Sequence, residues 1–112
     1  MELTTEKLGQ TLLVKISGEL DLSTSPLFRQ LVEEELEQDP NLRFLVLDLN
    51  ETSFIDSSGL GVILGRFKKI TQKGGNLSFI RVPSHLSKVF ELSGLMRIME
   101  IHPSLEAALD KQ

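Results

Sequence analysis

Apolar residues along the chain form two kinds of segment, some nearly continuous and some with a spacing of three to four residues, and the two kinds alternate. Residues 44–49, Phe-Leu-Val-Leu-Asp-Leu, are almost continuously apolar, which is typical of a strand covered on both faces in a parallel sheet. We expect this strand to be central. Shorter strands are predicted at 12–16, 77–82 and 98–101. Residues 1–8 would form the first arm of a hairpin that turns at Gly9-Gln10.

Segments with the helical spacing follow the predicted strands, and residues that start or stop helices lie at their ends. The first helix is predicted to begin at Ser25-Pro26, because a serine hydroxyl caps free N–H groups and proline fits the first turn. It is predicted to end at Asp39-Pro40. Residues 50–55 are expected to connect the central strand to the next helix. The other helices are predicted from the turn at 56–59 to Gly74-Gly75, from Pro83-Ser84 to Ser93-Gly94, and onward from Pro103-Ser104.

Four alternations of strand and helix predict an α/β fold, since right-handed crossovers between neighbouring strands place helices on a mostly parallel sheet. We expect a mostly parallel or mixed sheet of four to five strands with about four packed helices. The length of 112 residues is typical of one domain, so residues 1–112 are predicted to form a single domain.

The composition excludes several classes of function. The chain has no cysteine and only two histidines, His85 and His102, which are too few for a structural zinc site. We expect no metal site and no cofactor, while a carboxylate-only metal site and nucleotide binding by the chain stay open. A net charge of −4 argues against nucleic-acid binding, which needs a concentrated positive field. No stretch approaches the ~20 apolar residues of a membrane span, and no secretory signal is recognised. We therefore expect a cytoplasmic protein with no membrane partner.

Two hydroxyls, those of Ser57 and Ser58, lie in the turn that leads into the second predicted helix. The N-terminus of a helix favours negative charge, and this edge of an α/β sheet commonly carries functional sites. Gly59 and Gly61 would leave room for a partner to approach the serines. Capping alone is the alternative, because aspartate and serine are favoured at helix N-caps for local reasons.

Residues 54–66, Phe-Ile-Asp-Ser-Ser-Gly-Leu-Gly-Val-Ile-Leu-Gly-Arg, resemble the signature of the sporulation-type anti-sigma factor antagonists, a branch of the STAS-domain family. Similar segments extend over nearly the whole chain: Gly18-Glu19-Leu20-Asp21, the helix start at 25–26, the strand at 45–49, Gly74-Gly75, and residues 90–95. The resemblance implies a single STAS domain.

The same resemblance implies a protein-binding switch. The unmodified chain would bind a cognate anti-sigma factor that is also a serine kinase, which frees the sigma factor. The family modifies the serine directly after the aspartate, Ser57 here, and a serine phosphatase restores the hydroxyl. The loop before the first helix is implied to lie beside this turn. The implied partner-binding residues are Asp21, Ser23, Thr24, Asp56, Ser57, Ser58, Gly59, Leu60 and Gly61.

Two further interpretations compete with this one. A hydrolase with Ser57 as nucleophile would need a histidine base, but no Gly-x-Ser-x-Gly motif surrounds the serine, so we do not expect an enzyme. A STAS-like scaffold or ligand-sensing domain that is not controlled by phosphorylation has the same expected fold and stays open. The acidic cluster of the first helix is expected to be a solvated face without an assigned role; it consists of Glu33, Glu34, Glu35 and Glu37.

Overall fold

The computed structural model describes residues 1–112, and strands and helices alternate along them. The strands are β1 (Glu2–Leu8), β2 (Thr11–Leu20), β3 (Phe44–Asp48), β4 (Thr52–Ile55), β5 (Asn76–Ile80) and β6 (Glu100–His102). The helices are α1 (Ser25–Gln38), α2 (Ser57–Gln72), α3 (Ser84–Ser93) and α4 (Leu105–Asp110), and a 3₁₀ turn covers Leu95–Arg97. None of the four helices combines the length and the apolarity that crossing a membrane requires.

The six strands form one sheet in the order β1-β2-β3-β5-β6, and β4 pairs with β2 outside this row. β1 and β2 form the antiparallel hairpin that the N-terminal pattern predicts, and Gly9 turns it with a φ of +60°. All other strand pairs are parallel. The predicted α/β class and the central position of β3 are confirmed, and the sheet has six strands where four to five were expected.

The connection expected between β3 and α2 contains a strand, β4, that the sequence pattern did not predict. β4 pairs only with residues 18–20 of β2, after a register shift beside Gly18, whose φ is +95°. Inside the core, the Thr52 hydroxyl donates a 2.7 Å hydrogen bond to the carbonyl of Ile16. A four-residue segment without apolar alternation gives no strand signal, since its pairing depends on the distant bend in β2.

Both faces of the sheet are covered, but they bury unequal amounts of apolar surface. Successive residues of β3 point to opposite faces, so Leu45 and Leu47 belong to a cluster of 20 buried residues and Val46 to a cluster of four. The larger cluster includes side chains of α1, α2 and α3, and the smaller one includes Ala108 of α4. This two-sided burial explains why β3 is apolar at consecutive positions.

The start of α1 lies where it was predicted, but Ser25 does not cap the helix. Ser25 is the first helical residue, and its Oγ has no hydrogen-bond partner. Instead, Oδ1 of Asp21 accepts hydrogen bonds from the backbone N–H groups of Ser23 and Thr24, at 3.0 and 3.1 Å. This carboxylate organises the turn before the helix, and no side chain caps the N-terminus of α1. At α4 the predicted serine cap is confirmed, with Ser104 Oγ accepting a backbone N–H at 3.2 Å.

Candidate functional site

Ser57 is the first residue of α2 and follows the turn that ends β4. Its side chain is exposed, and its hydroxyl forms no hydrogen bond with another residue of the chain. Ser58 is half-buried between α1 and α2. The backbone N–H groups of both serines are free at the positive end of the helix. Of the two serines, Ser57 is therefore the more accessible to a modifying enzyme.

Asp56 is the N-cap of α2 and also holds the neighbouring loop. Its Oδ1 accepts the backbone N–H of Gly59 at 2.9 Å, and its Oδ2 accepts the backbone N–H of Leu22 at 3.1 Å. The Asp56 N–H donates to the carbonyl of Leu20 at 3.2 Å. One aspartate thus joins the end of β2, the loop before α1 and the start of α2, so the two loops of the expected partner surface lie side by side.

The loop before α1 is organised around the carboxylate of Asp21. Besides the two backbone bonds already described, Oδ1 accepts the Ser23 hydroxyl at 2.8 Å. These hydrogen bonds, with that of the Ser23 side chain as the largest cause, lower the pKa of Asp21 below its usual value and keep the group ionised. Thr24 Oγ1 donates to the carbonyl of Glu19 at 2.8 Å. The ordered loop leaves the side chain of Leu22 75% exposed, a feature that the sequence analysis missed.

The two glycines of the Ser57 turn have different roles. Gly59 is buried, and a Cβ at this position would lie 2.4 Å from the carbonyl oxygen of Leu20 and 2.9 Å from Cγ2 of Ile55. The space beside Gly59 is therefore used by the protein itself. Gly61 is exposed, and a Cβ there would meet no atom within 4 Å, so it alone leaves open space at the surface. Leu60 is half-buried and packs against the main core.

The acidic cluster of α1 is not simply a solvated face, and the expectation is corrected at two positions. Glu33 bonds to the guanidinium of Arg66, a buried residue of α2, and this hydrogen bond lowers the pKa of Glu33 below its usual value. Glu35 pairs with Lys7 of β1 at 3.4 Å. Glu34 and Glu37 are exposed as expected. A charged Arg66 within the apolar periodicity of α2 is the sequence signal for this helix–helix contact.

Neither histidine forms a hydrogen bond with Ser57. His85 is exposed, and its Nε2 lies 3.1 Å from the carbonyl oxygen of Ser53. His102 Nε2 lies 3.7 Å from a carboxylate oxygen of Glu100. No group of three His, Cys, Asp or Glu side chains is arranged to hold a metal ion. The site is thus a hydroxyl between ordered backbone segments rather than a serine–histidine pair.

The sequence profile of the STAS domain matches residues 2–108. A solved structure of a putative anti-sigma factor antagonist from Thermotoga maritima superimposes with a TM-score of 0.90, covering 97% of this chain and 92% of that one at 24% identity. The profile match shows that the chain belongs to the STAS-domain family, and the superposition shows the same fold.

Relatives within the family are anti-sigma factor antagonists. The anti-sigma F factor antagonist of Paenibacillus polymyxa is 42% identical over 98 residues, which cover 88% of this chain and 83% of the relative. The anti-sigma-B factor antagonist of Bacillus subtilis is 33% identical over 96 residues, covering 86% and 85%. The Bacillus cell fate determinant SpoIIAA, solved in its phosphorylated form, has a TM-score of 0.75 at 26% identity, with 98% of each chain covered. This chain is accordingly a member of the anti-sigma factor antagonist branch.

Proposed function

We propose that this chain is an anti-sigma factor antagonist controlled by phosphorylation of Ser57. In the unmodified state it binds a cognate anti-sigma factor that is also a serine kinase, and this binding releases the sigma factor. The kinase phosphorylates Ser57 and the complex dissociates; a serine phosphatase then restores the hydroxyl. The observation that carries the proposal is the exposed, unbonded hydroxyl of Ser57 at the N-terminus of α2. Because the partner controls transcription, we propose that the interaction takes place in the cytoplasm.

The start of α2 is a suitable place for a phosphate in the free protein. The free N–H groups of Ser57 and Ser58 and the positive end of the helix dipole favour an anion there. The modification therefore need not disturb the fold. SpoIIAA, which shares the fold, is known in both the unphosphorylated and the phosphorylated form, and this agrees with a switch that keeps the fold intact.

The same phosphate is unfavourable inside a complex with the kinase. A phosphoserine carries about −1.5 to −2 charges, and a kinase that has just transferred a phosphoryl group still holds an anionic nucleoside diphosphate. Asp56, next to Ser57, and the ionised Asp21 in the adjoining loop add further negative charge. A coupling free energy of about 3 kcal/mol would weaken binding more than a hundredfold.

We propose that the partner contacts the two loops as one continuous surface. Asp56 holds these loops together through its bonds to Gly59 and Leu22, so a partner that covers Ser57 also meets the loop before α1. The proposed partner-binding residues are Asp21, Ser23, Thr24, Asp56, Ser57, Ser58, Gly61 and Leu60, with Gly59 supporting them from within the protein.

The proposal is tested by incubating the chain with its cognate anti-sigma factor and Mg-ATP and mapping the product by mass spectrometry. We expect one added phosphate, on Ser57. Ser57→Ala is expected to abolish phosphate uptake while largely retaining binding, and Ser58→Ala is the matched control that should still be modified. No phosphate with the genuine kinase would favour a scaffold or ligand-sensing role instead.

A second variant tests whether Ser57 lies in the interface. Ser57→Asp is expected to weaken the complex only partly, because a carboxylate has less charge and fewer acceptor oxygens than a phosphate. Its dissociation constant is measured against that of the unmodified wild type. An unchanged constant would mean that the Ser57 turn lies outside the interface.

A further inference from the structure

A groove runs along α1 on the side that faces the start of α2, and we call it the α1–α2 groove. It has a volume of about 510 Å³, and its walls are the surface of α1 from Ser25 to Glu37, the α2 residues Ser58 and Val62, and Leu22 at one end. The α1 wall is about 18 Å long at the helical rise per residue. Because Ser58 lines the groove and Ser57 is its neighbour in the chain, the groove opens beside the proposed phosphorylation site.

The α1–α2 groove carries an excess of negative charge. Three carboxylates line it, and Arg29 is the one cation among the lining residues. Glu33 is already paired with Arg66 and lies 3.4 Å from Arg29. Glu34 and Glu37 are exposed and have no cationic partner in the protein, although Glu34 accepts a hydrogen bond from a glutamine at 3.0 Å. Two carboxylates are thus available to a bound cation.

Two apolar residues line the groove. Leu22 is 75% exposed, and Val62 of α2 is half-buried. An apolar side chain of a partner that packs on Leu22 would remove this exposed apolar surface from water, which is favourable. The groove therefore offers apolar contacts together with acidic ones.

We propose that the α1–α2 groove binds a basic segment of the anti-sigma factor. An apolar side chain of that segment packs against Leu22 and Val62, and its lysine or arginine side chains pair with Glu34 and Glu37. This inference rests on the proposed function and adds a second contact region to the Ser57 turn. A second copy of this chain is a poorer occupant, because it carries the same acidic helix and a net charge of −4.

The test removes the two unpaired carboxylates without changing side-chain size. The double variant Glu34→Gln/Glu37→Gln is compared with Glu2→Gln/Glu91→Gln, which alters the net charge equally at exposed positions outside the groove. Dissociation constants for the cognate anti-sigma factor are measured at about 0.1 M and about 0.5 M salt. We expect the groove variant to bind about tenfold more weakly at low salt, a difference that shrinks at high salt as charges are screened. The control should stay within about twofold of the wild type.

The outcomes separate this inference from the proposed function. If phosphorylation of Ser57 ends binding but the groove variant binds like the control, the groove inference is overturned and the switch stands. If the unmodified wild type does not bind the anti-sigma factor, both are overturned.

Discussion

Gly59→Ala is expected to destabilise the protein, although alanine is the better helix former. Gly59 lies in the first turn of α2, where an added Cβ would meet the carbonyl oxygen of Leu20 at 2.4 Å and Cγ2 of Ile55 at 2.9 Å. The same carbonyl accepts the N–H of Asp56. It cannot move away without disturbing the junction of β2 and α2, which presents Ser57.

Two opposing contributions decide the magnitude of this effect. Helix propensity alone would make the substitution stabilising by about 1 kcal/mol. Overpacking a rigid site costs about 1–3 kcal/mol, and a contact under 3 Å with a backbone oxygen belongs at the upper end of that range. We therefore expect a net loss of about 2 kcal/mol in the free energy of unfolding, or about 8 °C in Tm for a domain of this size.

Gly61→Ala is the matched control, because it lies two residues further along the same helix and its added Cβ meets no atom within 4 Å. It is expected to stabilise the protein by about 0.5–1 kcal/mol. Urea denaturation followed by circular dichroism measures both variants. A Gly59→Ala variant as stable as the wild type, or a stabilisation in both variants, would refute the account of how α2 packs against β2.

Asp56→Ala is expected to lower the free energy of unfolding by about 1–2 kcal/mol, because the N-cap of α2 and the hydrogen bond to Leu22 are lost. Asp56→Asn should retain most of the cap. Urea denaturation measures both variants, and an alanine variant as stable as the wild type would contradict this role of Asp56. The hydrogen bond from Arg66 lowers the pKa of Glu33 in the folded protein, so in acid the unfolded state binds more protons than the folded state. The stability that this pair contributes is therefore present at neutral pH and is lost as the pH falls below the usual glutamate pKa of 4.5. Glu33→Gln should reduce the loss of stability below about pH 4.5, and an unchanged stability profile would contradict the pair. Thr52→Val is expected to lower the free energy of unfolding by about 1–2 kcal/mol, although valine has the higher strand propensity, because the buried carbonyl of Ile16 loses the hydrogen bond from Thr52. Thermal denaturation measures the effect, and an unchanged Tm would contradict a stabilising role of this hydrogen bond.

Much of the fold was predictable because its signals are local. The apolar run of β3 and the helix punctuation at Pro26, Gly94 and Ser104 depend on neighbours in the chain, and the structure follows them closely. β4 was not predictable in this way, since it is short and pairs with β2 only beyond the bend at Gly18. That residues 1–112 form a single domain stays a prediction.

The candidate site was predictable in position but not in detail. The pattern of residues 56–61 indicates a helix start with hydroxyls, and the structure has one there. The second bond of Asp56, to the N–H of Leu22, joins residues 34 positions apart and leaves no trace in local spacing. For the same reason, local spacing does not distinguish the buried Gly59 from the open Gly61, and it does not identify Glu33 as the partner of Arg66.

The most direct test of the switch compares two forms of the same chain, one unmodified and one phosphorylated on Ser57 by the cognate kinase and purified. Isothermal titration calorimetry gives the dissociation constant of each form for the anti-sigma factor under identical salt and nucleotide conditions. We predict that the phosphate weakens binding more than a hundredfold, which corresponds to about 3 kcal/mol. Equal affinity of the two forms would contradict the claim that Ser57 decides whether the partner binds.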